Sequence, residues 1–182
     1  MLQLTIPAHE YYNQRTGEFG YTHDTTIQLE HSLVSISKWE SKWRKPYLGN
    51  EQKTRTQYID YIRCMTITQN VDPMVYGFIT DKQFKQIDDY INAPMTATWF
   101  SEKPGNRPPT KPIVITSEII YYWMIALNIP VEFQKWHLNR LLTLIRVCNE
   151  KNAPARKRDK KAMLEERRAL NDARRKRLNT RG

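Results

Sequence analysis

Six glycines, two cysteines and the absence of any long apolar run narrow what this 182-residue chain can be. The glycines form no phosphate-cradling loop, no nucleophile elbow and no dinucleotide fingerprint, so no nucleotide or other cofactor is expected. Cys64 and Cys148 lie far apart in helix-like apolar patterns and read as small buried hydrophobes rather than a disulfide framework. The most apolar stretch, residues 113–130, is interrupted by Thr116, Ser117, Glu118 and Asn128, which falls short of the roughly 20 apolar residues of a membrane span. Met1 to Pro7 lacks the basic start and long apolar segment of a secretion signal, so a cytosolic protein is expected.

Charge is present in abundance and unevenly placed. Of 29 lysines and arginines, 13 fall in residues 151–182 against four acids, so that segment carries +9 of the formal +10. The sequence therefore divides into a near-neutral body, residues 1–150, and a basic arm, residues 151–182. The whole chain is 40% hydrophobic, and a body of this length encloses one core.

Within the body, Leu2, Leu4 and Ile6 alternate with polar residues, and residues 26–30 repeat that period, which predicts a short N-terminal β-hairpin. Ser32 precedes Leu33, Ile36, Trp39 and Trp43, one face of a helix over about residues 33–45. Thr54 caps a helix with Tyr58, Ile59, Ile62 and Met65 as its stripe; Asp72-Pro73 opens a helical turn, and Thr80 caps a helix carrying Phe84, Ile87 and Ile91. Residues 95–100 and 112–116 are β-like runs around a Pro-rich excursion, predicting a middle β-hairpin. Ser117 is expected to cap a helix over 118–128, and a second helix continues from Val131 over 131–149, the two forming the centre of the core. The expected fold class is α+β, mainly helical, with a protruding basic C-terminal helix.

The arm is rich in helix formers from Arg156 to Leu178, and Asp172 can pair with Lys176 one turn on. Met163 and Leu170 are seven residues apart, as are Leu164, Asn171 and Leu178, a thin apolar edge too slight to fold alone. Electrostatic contact with phosphates or an acidic protein is the functional reading, and a solvated helix that only aids solubility is the bland one. The candidate contact residues are Arg156, Lys157, Arg158, Lys160, Lys161, Arg167, Arg168, Arg174, Arg175, Lys176 and Arg177. The arm has no zinc-finger spacing, leucine-zipper seam or glycine-aromatic RNA-binding signature, so any nucleic-acid binding would be nonspecific.

Catalytic chemistry finds little support. Trp136-His137-Leu138-Asn139-Arg140 offers a histidine and an asparagine to a metal or nuclease site, but His9, His23 and His31 lie far upstream with no paired motif. His137 is therefore read as structural, with no catalytic residue and no metal expected. The adjacent acids Asp88-Asp89 and Glu165-Glu166 diverge by about 100° on a helix and cannot converge on one substrate atom. Trp39, Trp43, Tyr121, Tyr122, Trp123 and Trp136 are read first as core and second as anchors of a protein-binding surface.

Several phrases are distinctive in combination: His31-Ser32-Leu33 through Ser37-Lys38-Trp39-Glu40-Ser41-Lys42-Trp43, Met95-Thr96-Ala97-Thr98-Trp99-Phe100, Ile119 through Trp123 leading into Trp136-His137-Leu138-Asn139-Arg140-Leu141-Leu142, Arg167-Arg168-Ala169-Leu170-Asn171, and the terminal Thr180-Arg181-Gly182. Over residues 23–182 the chain resembles the tail assembly chaperones encoded in structural gene clusters of tailed bacteriophages. That resemblance implies a non-enzymatic protein that binds the tape measure protein or tail-tube subunits in the host cytoplasm during assembly, or is retained in the virion. Members of that class are often linked to a programmed frameshift product. The basic C-terminus equally suits a head or connector protein that meets packaged DNA.

Overall fold

A computed structural model describes residues 1–14, 17–100, 114–153 and 160–178, with backbone alone at 160–163 and 166. The first strand, β1 (Leu2–Ile6), pairs antiparallel with the fourth, β4 (Thr25–Leu29), Leu4 opposite Ile27. Alternation sends Leu4, Ile6, Ile27 and Leu29 into the core and leaves Thr5 and Thr26 outside, where their hydroxyls meet at 3.0 Å. Inside the connection lies a second antiparallel pair, β2 (Glu10–Asn13) with β3 (Glu18–Tyr21), entered through Gly17 at φ 72°. One hairpin was expected here; the chain forms two, one nested in the other.

Local capping chemistry places the next helices where the spacing predicts. Helix α1 (Leu33–Trp43) begins with Ser32 and Ser35 exchanging side-chain and backbone hydrogen bonds and ends at Arg44, in the left-handed region. Helix α2 (Arg55–Met65) has the same reciprocal cap from Thr54 and Gln57, and α3 (Asp81–Asn92) from Thr80 and Gln83. Between them Asp72 caps a 3-10 turn at Pro73–Phe78. The backbone beyond α2 rejoins β4: Met65 O accepts from Glu30 N at 2.9 Å and Gln28 O from Ile67 N at 2.8 Å.

The C-terminal half of the body departs from expectation in three places. The residues of 95–100 and 114–116 carry no strand, and the intervening 101–113 lie outside the described residues. Helix α4 (Ser117–Ala126) starts one residue earlier than predicted and has no side-chain cap of its own. The continuous helix expected over 131–149 is split into a 3-10 turn, Val131–Lys135, and α5 (Leu138–Asn152). The break has a tertiary cause: His137 forms a β-bridge with Ser32, and Leu138 N donates to His31 O at 2.7 Å, which local periodicity cannot foresee.

The core's centre is correspondingly not the α4/α5 pair. The fully buried side chains are Ile6, Ile27, Leu29, Leu33, Ile36, Trp39, Tyr61, Ile62, Met65 and Ile87, from the β1/β4 ladder and α1 to α3, joined by Ile120 and Leu138. Each such aliphatic contributes about 1.5–3 kcal/mol by burial. Helix α4 buries Ser117, Ile120 and Met124 but leaves Tyr122 66% and Ile125 76% exposed, since a helix apolar all round needs covering on every side to be buried. Cys64 and Cys148 are free and half-buried rather than fully enclosed. The fold is a mainly helical α+β architecture with two small antiparallel sheets.

The described chain falls into two units, Met1–Asn149 and Glu150–Gly182, the second containing α6 (Lys160–Leu178). Among the described residues no helix is long and apolar enough to cross a membrane.

Candidate functional site

Helix α6 follows from composition alone. Its 19 residues include no glycine or proline, and alanine, leucine, arginine, lysine and glutamate dominate, all strong helix formers. Arg175, Lys176 and Arg177 occupy its last turn, where cations meet the partial negative charge of unpaired carbonyls. Every side chain described on it is exposed, including Leu164 at 54%, Leu170 at 56% and Leu178 at 65%.

Six of the candidate contact residues, Arg167, Arg168, Arg174, Arg175, Lys176 and Arg177, are therefore brought onto one helix with their cations in solvent. Lys160 and Lys161 open the same helix, where backbone alone is described; Arg156, Lys157 and Arg158 lie outside the described residues. The arrangement can make charge-assisted hydrogen bonds to carboxylates or phosphates, and its exposed leucines can contribute apolar contact.

The phrase around His137 resolves into a clamp on the end of α3. His137 Nε2 lies 3.0 Å from Tyr90 O, which also accepts from Ala93 N, and Asn139 Nδ2 donates to Ile91 O at 3.0 Å and Ala93 O at 2.8 Å, where a helix end leaves carbonyls without helical partners. Arg140 stacks its guanidinium 4.1 Å from the centroid of the Trp136 ring. These residues hold structure together at that point, which is a positioning role.

Sequence reasoning found no partner for His137, yet the fold supplies one. The ring of His31 lies 5.1 Å from that of His137, and His31 Nδ1 is hydrogen-bonded to Tyr61 Oη at 2.5 Å. Tyr61 stacks on Tyr47 at 3.9 Å, and Tyr90 closes edge-on against His137 while its hydroxyl donates to Glu30 Oε1 at 2.7 Å. Burial, then the neighbouring His137, hold His31 down to about 3; burial lowers His137 as well. Burial also pushes the Tyr61 phenol well above its ordinary range, so a neutral imidazole faces a protonated phenol. At 2% exposure His31 has little access to a substrate.

A cleft of about 470 Å³ lies among α1, α2 and the Pro73–Phe78 turn, lined by Lys42, Trp43, Ile59, Asp60, Arg63 and Met74 among others. Its carboxylate is already occupied: Asp60 accepts from Lys42 Nζ and, at 2.8 Å, from Trp43 Nε1. One turn on from Asp60 along α2, burial and then Asp60 raise the Cys64 thiol, which disfavours the reactive thiolate. Among the described residues no group of three or more histidine, cysteine, aspartate or glutamate side chains converges as a metal site would require. No family model, no curated protein and no solved structure matches the chain.

Proposed function

We propose that the protein is a tail-assembly or tail-structural protein of a tailed bacteriophage that works by binding another protein, with tape measure or tail-tube subunits as its partners. The observation that carries the binding reading is α6: a 19-residue helix whose described side chains, leucines and arginines alike, are all exposed. An isolated helix of this length is marginal in water, and a partner that covers one face stabilises it. The identity of the partner rests on the resemblance of residues 23–182 to tail assembly chaperones.

A second reading is favoured by the +9 concentrated in residues 151–182: nonspecific binding of packaged or cellular nucleic acid by a head or connector protein. Affinity capture from infected cells, with and without nuclease, followed by mass spectrometry, separates the two. A nuclease-resistant tape measure or tube partner is expected on the first reading. Loss of every partner after nuclease overturns it in favour of the second.

A further inference from the structure

We propose that α6 is a docking surface for one acidic α-helix of a protein partner, whose carboxylates recur every seven residues. This deepens the protein-binding reading above and rests on it.

The basis is a repeat in the charges. Arg167-Arg168 and Arg174-Arg175 are doublets seven residues apart on α6, and the sequence carries a third, Lys160-Lys161, seven residues earlier. Seven residues advance an α-helix by about 10.5 Å and return it to within about 20° of the same direction, so the doublets recur along one face. Leu164, Asn171 and Leu178 interleave with them at the three- and four-residue spacings that make helix neighbours, giving the stripe Leu, Arg-Arg, Asn, Arg-Arg, Leu. The side chains of Leu164, Arg167, Arg168, Asn171, Arg174, Arg175 and Leu178 are exposed. Glu165 and Asp172, also seven apart and exposed, flank the stripe in the same register.

Each feature discriminates among occupants. A seven-residue period is the repeat that two helices share when they pack side by side, whereas a phosphate backbone rewards positive charge at any spacing. Leucines alternating with cations supply apolar contact at fixed intervals, and an asparagine between two leucines at seven-residue spacing is a known device for fixing register. Phosphates would be repelled by Glu165 and Asp172, while a helix with glutamate doublets and flanking lysines meets both signs. A second copy of α6 is disfavoured because its doublets would face like charges.

The test uses the full-length protein and three labelled probes at physiological salt: a synthetic four-heptad helix with Glu-Glu doublets and leucines at seven-residue spacing, a peptide of identical composition with the doublets shuffled out of register, and a duplex DNA. The periodic peptide is expected to bind roughly tenfold more tightly than the shuffled one, a difference that pure charge attraction cannot produce. The R167E/R168E/R174E/R175E variant, which turns both doublets into Glu-Glu, is expected to lose the periodic peptide and to gain a matching peptide with Lys-Lys doublets, which a merely unfolded helix would not do. Equal affinity for the two acidic peptides, or tighter binding of the duplex, overturns the proposal. Capture of a tail protein from infected cells by a chain lacking residues 153–182 overturns this docking surface while leaving the protein-binding reading intact.

Discussion

Glu40 Oε2 accepts a hydrogen bond from the Ser117 backbone N–H at 2.8 Å, so a carboxylate on α1 caps the N-terminus of α4 across 77 residues of chain. The other oxygen, Oε1, accepts from Tyr47 N at 2.7 Å, and the side chain is buried. A carboxylate at that end also meets the partial positive charge of the helix. The contact explains why α4 needs no cap from its own sequence.

Glu40→Ala removes the acceptor for two buried N–H groups and is expected to destabilise the fold by about 2–6 kcal/mol, since each orphaned donor costs about 1–3 kcal/mol. Glu40→Gln retains one acceptor oxygen and is expected to lose roughly half as much. Urea unfolding checks both through the transition midpoint; an unchanged midpoint in Glu40→Ala would refute the cap.

His31 makes stability depend on pH in a definite direction. Its ordinary value of 6.5 falls to about 3 in the fold, so between those values the unfolded chain binds a proton that the native protein refuses. Stability is therefore fully present above 6.5 and declines as pH falls below it, by up to about 1.4 kcal/mol per pH unit, with His137 acting in the same sense. Unfolding free energies measured from about pH 7 to about pH 5 should show this slope, and His31→Gln should flatten it while lowering stability throughout. Parallel slopes in the two proteins would show that another group is responsible.

Local signals were legible in the chain and long-range ones were not. Ser32, Thr54, Asp72 and Thr80 announce their helices because a cap is chemistry between residues two or three apart. The meetings of His31 with His137 and of Glu40 with Ser117 are created by folding, and no spacing rule encodes them. Helix α5 begins late because backbone pairing at His137 overrides the apolar period of residues 131–149. The β2/β3 hairpin escaped notice because Tyr12, Phe19 and Tyr21 are exposed, which removes the buried-face alternation that marks a strand. The basic helix was legible because strong helix formers without glycine or proline mark it in the sequence, even though propensity alone leaves such a helix marginal in water.

Trp39 and Trp43 share a helical face in the sequence but divide between core and rim in the fold. Trp39 is 1% exposed and donates from Nε1 to Gln57 O at 2.9 Å, whereas Trp43 is half-buried and donates to Asp60 Oδ2 at 2.8 Å. Trp39→Ala is expected to cost about 3–5 kcal/mol and to unfold much of the population. Trp43→Ala should keep the native circular dichroism spectrum with a loss of about 2 kcal/mol, and Trp43→Phe should lose about 1 kcal/mol with its hydrogen bond. Global unfolding of Trp43→Phe would contradict the division.

Stability and binding are separable if the arm works by contact with a partner. Every buried side chain among the described residues lies at or before Ile145, so deletion of residues 153–182 removes α6 and none of those side chains. The shortened chain is expected to unfold within about 0.5 kcal/mol of the full-length protein and with the same urea dependence, because the buried side chains of the body are all retained. Its helical signal should fall by the contribution of α6, and its binding of acidic probes should fall to background. Because exposed charges are screened within about 8 Å at physiological salt, the binding lost on deletion should be the fraction most sensitive to added salt. A lower unfolding midpoint after deletion would mean that α6 contributes to the fold of the body, and the arm's leucines would then have a partner within the chain itself.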